Sequence, residues 1–247
     1  MTTPNDRYHR QKLLPFWGET GQARLREATV LVAGCGGLGG HLASHLVRAG
    51  CGTVRVVDRD APELSNLHRQ TLFDENDVAS GESKAAIAAK KLARINAEVR
   101  LDARTVQIDA STIDELLAEV DLALDATDNF ATRFVLNEAC RRRGIPWVHG
   151  GALGTTGVVM NVWPGRGPCL RCVFPEPPPE ANAPSSGREG ILGMLPAVVA
   201  AYQATEACRI LLGEEVELGT MWHFDIWRHT WEPLAIKRNP ACPICGG

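Results

Sequence analysis

The chain contains no run of apolar residues long enough to cross a bilayer. Its most apolar stretch, residues 191–213, is interrupted by Gln203, Glu206 and Arg209 and carries Pro196, so it reads as a core helix rather than a span. The opening MTTPNDRYHRQK is polar and lacks the apolar centre of a secretory leader. Together these absences predict a cytoplasmic protein without membrane attachment. A basic excess is missing too: 26 Lys and Arg stand against 29 Asp and Glu, a net charge of −3. That excludes a bulk electrostatic grip on nucleic acid, which needs cations to neutralise phosphates. No internal repeat is visible. With 45% hydrophobic residues and so small a net charge, the chain does not have the composition of a disordered one. What it does have is cysteine, eight in all, and in a reducing compartment clustered cysteines more often hold metal than form disulfides.

Apolar, β-branched runs alternate with helical patterns through the first 150 residues. Thr29–Ala33 (TVLVA) and Thr53–Val57 (TVRVV) read as buried strands with a helix over 38–49 between them. A second helix is predicted over 83–96, capped by Ser83. Further strands are expected at 99–103, 121–125 and 147–149, separated by helices at 112–119 and 129–143. This alternation predicts an α/β fold of Rossmann type, a mostly parallel sheet with helices on both faces. Beyond Gly150 the texture changes. A strand at 157–163 is followed by a segment at 175–190 rich in proline, which reads as a mobile crossover loop because proline removes backbone donors. A helix at 191–212 and strands at 220–225 and 230–236 extend the sheet in antiparallel fashion. The organisation predicted is one domain over 1–247, with a nucleotide-binding half at 28–150 and a second half at 151–247.

Gly34-Cys35-Gly36-Gly37-Leu38-Gly39 follows a strand and opens a helix. In that setting glycines admit phosphate to the backbone, and the helix N-terminus offers free N–H groups and the positive end of its dipole. Asp58, at the end of the second strand, is placed to accept from ribose hydroxyls. These features alone fit an NAD-dependent oxidoreductase. The run that follows shifts the balance. Arg69 and Lys84 add side-chain cations that a dinucleotide pyrophosphate does not require, and Asp128 lies just past a strand's C-terminal end, where an oxygen ligand is placed for Mg²⁺. Taken together they point to a triphosphate.

The glycine loop, Asp58-x-Asp60, Ser65-Asn66-Leu67-x-Arg69-Gln70, Thr127-Asp128-Asn129 and Arg7-Tyr8-His9-Arg10-Gln11 together resemble the ThiF/MoeB/HesA family, bacterial relatives of ubiquitin-activating enzymes. The resemblance runs from about Arg7 to Cys245. It implies ATP-dependent adenylation of the C-terminal Gly-Gly carboxylate of a small ubiquitin-like sulfur-carrier protein, with release of pyrophosphate, in thiamin, molybdopterin or a related sulfur-transfer pathway. It also implies a nucleotide site built from Gly34, Gly36, Gly37, Gly39, Asp58, Asp60, Ser65, Asn66, Arg69, Lys84, Asp128 and Asn129. Arg69 and Lys84 are assigned to the phosphates, Asn66 to positioning them, Asp128 to Mg²⁺ and Asp58 to ribose. Arg10 matches the arginine that such proteins extend into a neighbouring subunit's site, which implies a homodimer. The carboxylate nucleophile is already ionised near neutrality, so no general base is required, and no His/carboxylate pairing stands out in the sequence. Two other readings stay open beside this one: adenylation of a ribosomal peptide, and the oxidoreductase.

Cys169-x-x-Cys172 and Cys242-x-x-Cys245 form two CxxC pairs, enough for a closed tetrahedral site of four thiolates holding structural Zn²⁺. The family resemblance includes the same paired motif. Many relatives also carry a cysteine in the crossover loop, where this sequence has Ser186. A serine hydroxyl is a much weaker nucleophile unless a base activates it, which implies activation without a covalent loop intermediate and sulfur delivered by a separate donor. Of the other four cysteines, Cys51, Cys140 and Cys208 read as small core residues. Cys35 sits at a helix N-terminus, where a thiol pKa can fall, although its place inside the glycine loop favours packing.

Overall fold

A computed structural model describes residues 6–178 and 186–246. The two β-branched runs form β1 (Thr29–Ala33) and β2 (Thr53–Val57), both buried almost throughout. With β3 (Arg100–Arg104), β4 (Leu122–Asp125) and β5 (Trp147–Leu153) they make the parallel half of one sheet, in the order β3-β2-β1-β4-β5. Three strands, β6 (Thr156–Val162), β7 (Thr220–Asp225) and β8 (Thr230–Ala235), continue the sheet antiparallel to its far edge. The strand order reverses between β1 and β4. That reversal opens a crevice at their carboxyl ends, the place where open α/β sheets take ligands.

Helices cover both faces, as the sequence pattern requires. On one face α3 (Gly37–Ala49), α5 (Lys84–Ala93) and α10 (Leu195–Leu212) bury Leu42, Leu46, Leu92 and Val199 against the strands. On the other, α7 (Phe130–Arg143) and the single turns α6 (Ile113–Leu116) and α8 (Leu170–Val173) bury Leu136, Trp147 and Leu170. Ser83 caps α5 by accepting the Ala86 N–H, as anticipated. The helix expected at 112–119 is only the turn α6, and β5 runs on to Leu153 because β6 pairs with it along its whole length. The helix expected from residue 191 starts at Leu195: Ile191 instead bridges Gly154, and Pro196 occupies the first turn, where its missing N–H does no harm.

Helix α2 (Gly18–Glu27) has no counterpart in the sequence reading. Its apolar contact is narrow, with Leu25 fully buried and Gly21 packed closely on Leu212, so its period is masked by charged neighbours. The short α1 (His9–Lys12), α4 (Glu75–Ser80) and α9 (Ser186–Glu189) complete the α-helices among the described residues, and Leu64–Asn66 forms a 3-10 turn. Part of the crossover loop expected at 175–190, residues 179–185 with Pro179, Pro184 and Ser185, lies outside the described residues, as does the Ser186 side chain. Among the described residues no helix is long and apolar enough to cross a membrane.

Candidate active site

The crevice at the carboxyl ends of β2, β1, β4 and β5 is a cleft of about 420 Å³. At its centre the glycine loop passes close under β4. Gly34 adopts φ +95°, and a side chain there would meet the Ala126 carbonyl oxygen at 2.7 Å. A Cβ on Gly39 would lie 2.0 Å from the Gly34 carbonyl oxygen, so α3 can start against the loop only if residue 39 has no side chain. Gly34, Gly36 and Gly37 line the cleft, whereas Gly39 acts from behind by this close packing.

Asp58 braces the loop. Its carboxylate accepts the Cys35 N–H at 2.7 Å and the Asp60 N–H at 2.9 Å, and the residue lines the cleft. Burial pushes its pKa up, although those two N–H bonds and the nearby Lys84 charge oppose the rise. Cys35 is fully buried and its thiol is pushed well above the ordinary range by desolvation, so the helix N-terminus does not activate it. The Cys51 and Cys208 thiols are likewise raised by burial, each to about 12.

Lys84 opens α5, its backbone N–H donating to the Asp60 carbonyl at 2.7 Å. It lines the cleft at only 8% exposure, yet among the described residues its ammonium makes no hydrogen bond or salt bridge. A nearly buried ammonium without a direct partner is unfavourable unless an anion fills the space in front of it. Arg69 lines the same wall, with one guanidinium nitrogen donating to the Ser65 carbonyl at 3.1 Å. Asp60, Asp128 and Asn129 are also in the lining, Asp128 exposed at the mouth. Asn129 is already engaged as the cap of α7, accepting the Thr132 N–H at 2.9 Å. Ser65 and Asn66 are outside the lining, as is Arg10, which is exposed on α1.

Three cleft-floor residues were not singled out from the sequence: Asp125, Arg133 and His149. Asp125 ends β4 at 0% exposure. Its carboxylate accepts from His149 Nδ1 at 2.7 Å and from the backbone and hydroxyl of Thr127 at 3.0 and 2.7 Å, and Arg133 Nε lies 3.4 Å away. Burial opposes ionisation, but the His149 hydrogen bond and the Arg133 charge outweigh it and hold the carboxyl below its ordinary pKa. The sequence reading saw no His/carboxylate pair, yet the fold makes one by setting β5 beside β4. Only strand order brings these two positions together.

At the other end of the chain the four CxxC thiols converge. Cys169 Sγ lies 3.7 Å from Cys242 Sγ and Cys172 Sγ 3.4 Å from Cys245 Sγ, with all four within 4.8 Å of one another. Four sulfurs on one tetrahedral zinc, each at about 2.3 Å, would stand roughly 3.8 Å apart, so the set fits a single ion with no open position. Arg141 and Arg238 donate to the Ile244 and Cys245 carbonyls and hold the knuckle in place.

The ThiF family profile matches residues 8–244. The chain is 43% identical to the sulfur carrier protein adenylyltransferase of Thermus thermophilus, over 98% of this chain and 90% of that protein. It is 40% identical to the SAMP-activating enzyme E1 of Haloferax volcanii (99% and 90%), and 38% identical to the sulfur carrier protein ThiS adenylyltransferase of Bacillus subtilis (97% and 71%). Among solved structures, E. coli MccB shares the fold with a TM-score of 0.86 at 24% identity, covering 100% of this chain and 74% of that one.

Proposed function

The chain belongs to the ThiF family and is an adenylyltransferase, and from that premise we propose that it joins AMP from ATP to the C-terminal Gly-Gly carboxylate of a ubiquitin-like sulfur-carrier protein. The observation that carries this reading is Lys84: a nearly buried ammonium, without a direct partner, facing a glycine-lined cleft. Such a group is ready for phosphate, and Arg69 adds a second cation on the same wall. The terminal carboxylate, with an ordinary pKa of about 3.3–3.7, arrives ionised. The barrier is then one of bringing an anion to the α-phosphorus of a polyanion, and the protein's contribution is positioning and neutralisation. Asp58 at the cleft edge is suited to the ribose and the glycine-loop N–H groups to the phosphates. Bound at Asp128, Mg²⁺ would supply further neutralisation of phosphate charge.

The cleft extends past β4 to β5 and β6, where Gly150, Gly151, Thr156 and Val158 line it. Glycines there leave room for an extended diglycine tail to reach the nucleotide. Arg10 is exposed on α1 outside its own cleft, in keeping with a homodimer in which it completes the partner's site. The four-cysteine knuckle holds structural Zn²⁺ in this reading and ties the C-terminal segment to α8. With serine at 186, sulfur comes from a separate donor after activation in the cytoplasm. ATP–pyrophosphate exchange with purified diglycine-ended carriers tests the proposal. Carrier-dependent exchange is the expected result, and its absence with every such carrier, alongside tight NAD binding, would overturn it.

A further inference from the structure

Adenylation needs no base, so the Asp125–His149 pair is not explained by it. Asp125 accepts at both oxygens and is held ionised, so the hydrogen shared with His149 belongs to Nδ1. The ring is 3% exposed and lines the cleft, and among the described residues its Nε2 has no hydrogen-bond partner. A Cβ added at Gly151, two residues along the strand, would stay 3.9 Å from Nε2. A carboxylate fixing one nitrogen while the other faces a reaction cleft is the arrangement of a general base. Its location matches that role. The proposed nucleotide-binding groups lie just past the carboxyl ends of β1, β2 and β4 and at the start of α5, the proposed tail path lies over β5 and β6, and His149 is on β5 directly beside β4. The acyl carbon of a carrier adenylate belongs at that junction.

We propose that His149 is the general base of a second step on this protein, discharge of the acyl-adenylate to a thiol. The inference rests on the adenylation reading. The thiol sulfur forms a bond to the acyl carbon, the carbon–oxygen bond to phosphate breaks, AMP leaves with the electron pair, and the S–H proton passes to Nε2. His149 then releases that proton to solvent, and no oxidant or reductant takes part. Asp125 is a positioning residue that fixes the tautomer. The charged groups facing the ring are Asp125 from β4 and Arg133 from α7, with Asp128 at the rim. α10 presents only neutral Gln203, and β6 neutral Val158. The nucleophile served is therefore one that arrives protonated, an ordinary thiol rather than a persulfide already ionised near neutrality.

The test is single-turnover discharge of preformed carrier adenylate by two probes, N-acetylcysteine amide and thioacetate, beside pyrophosphate exchange by the same protein. A thiol of pKa about 8.5 is roughly 3% ionised at pH 7, so without a base only that fraction reacts. His149→Gln should lower N-acetylcysteine amide discharge, relative to exchange, by about thirtyfold at pH 7, with the gap closing near pH 9.5. Thioacetate discharge should change only in step with exchange. In the unaltered protein the thiol reaction should be nearly flat from about pH 7.5 to 9, a measurement that does not depend on any variant folding. Equal losses for both probes, a gap that persists at high pH, or a tenfold climb per pH unit in the unaltered protein would overturn the proposal. Failure of carrier-dependent exchange itself would instead count against the adenylation reading.

Discussion

Replacing Lys84 by methionine separates a phosphate-binding cation from a structural one. The side chain is 8% exposed and, among the described residues, forms no hydrogen bond or salt bridge, so in the free protein only the nearby Asp58 charge offsets its removal from water. Methionine has similar length and no charge, which removes that penalty. The Lys84→Met protein without ligand should be at least as stable as the original, by up to about 1 kcal/mol, or roughly 2–4 °C in Tm for a chain of this size. With ATP bound, the balance inverts. A cation about 4 Å from a phosphate charge, at an effective dielectric near 20, contributes roughly 4 kcal/mol, and loss of one preorganised charged donor in other active sites costs about 2.7–4 kcal/mol. The exchange rate should therefore fall about a hundredfold to a thousandfold, and the rise in Tm that ATP produces should shrink. Exchange kinetics and thermal melts with and without ATP make the comparison. A loss of less than about tenfold together with a large fall in ligand-free Tm would refute the reasoning, because it would make Lys84 part of the scaffold.

Other consequences are open to measurement. Gly39→Ala should abolish nucleotide binding or folding, since its methyl group would stand 2.0 Å from the Gly34 carbonyl oxygen; ATP-induced thermal stabilisation reports it. Cys242→Ser should reduce zinc content below one ion per chain, by elemental analysis, and lower Tm by at least about 5 °C. An unchanged Tm with full zinc content would contradict the knuckle's role. Arg10→Ala and Lys84→Met proteins, each nearly inactive alone, should recover about a quarter of full exchange activity when mixed and allowed to exchange subunits, because half the dimers then hold one intact site. Asp125 is held below its ordinary pKa, so its carboxylate contributes stability above the unfolded value near 3.9, and loses it as pH falls through the lower folded value. Asp125→Asn should therefore flatten the acid limb of the stability curve.

The parallel half was legible in the sequence because TVLVA and TVRVV are β-branched and almost fully buried, and because Ser83 and the glycine loop mark where helices start. That Gly34, Asp58, Arg69, Lys84 and Asp128 line one cleft was legible for a related reason: they lie close to these markers in sequence. Helix α2 was not, since one buried leucine among charged residues leaves no clear period. His149 and Asp125 were missed for a different reason, as neither carries a local motif and each looks like an ordinary strand residue. Their meeting depends on β5 lying next to β4, a tertiary fact. Ser65 and Asn66 are outside the cleft lining, and the Ser65 carbonyl accepts from the Arg69 guanidinium, a contact that no local pattern in the sequence announces. The CxxC pairs, far apart in sequence, were readable because thiolate chemistry demands four ligands, whatever the fold between them.

The central claim is that a terminal carboxylate attacks the α-phosphorus in the Lys84 cleft. The most direct measurement is ATP–pyrophosphate exchange with a diglycine-ended carrier in two forms, one with its free C-terminal carboxylate and one amidated at that position. The account predicts rapid exchange with the free form, none with the amide, and a carrier–AMP adduct by intact mass in the first case alone. Equal exchange with both forms, or with neither for any diglycine carrier, would contradict it.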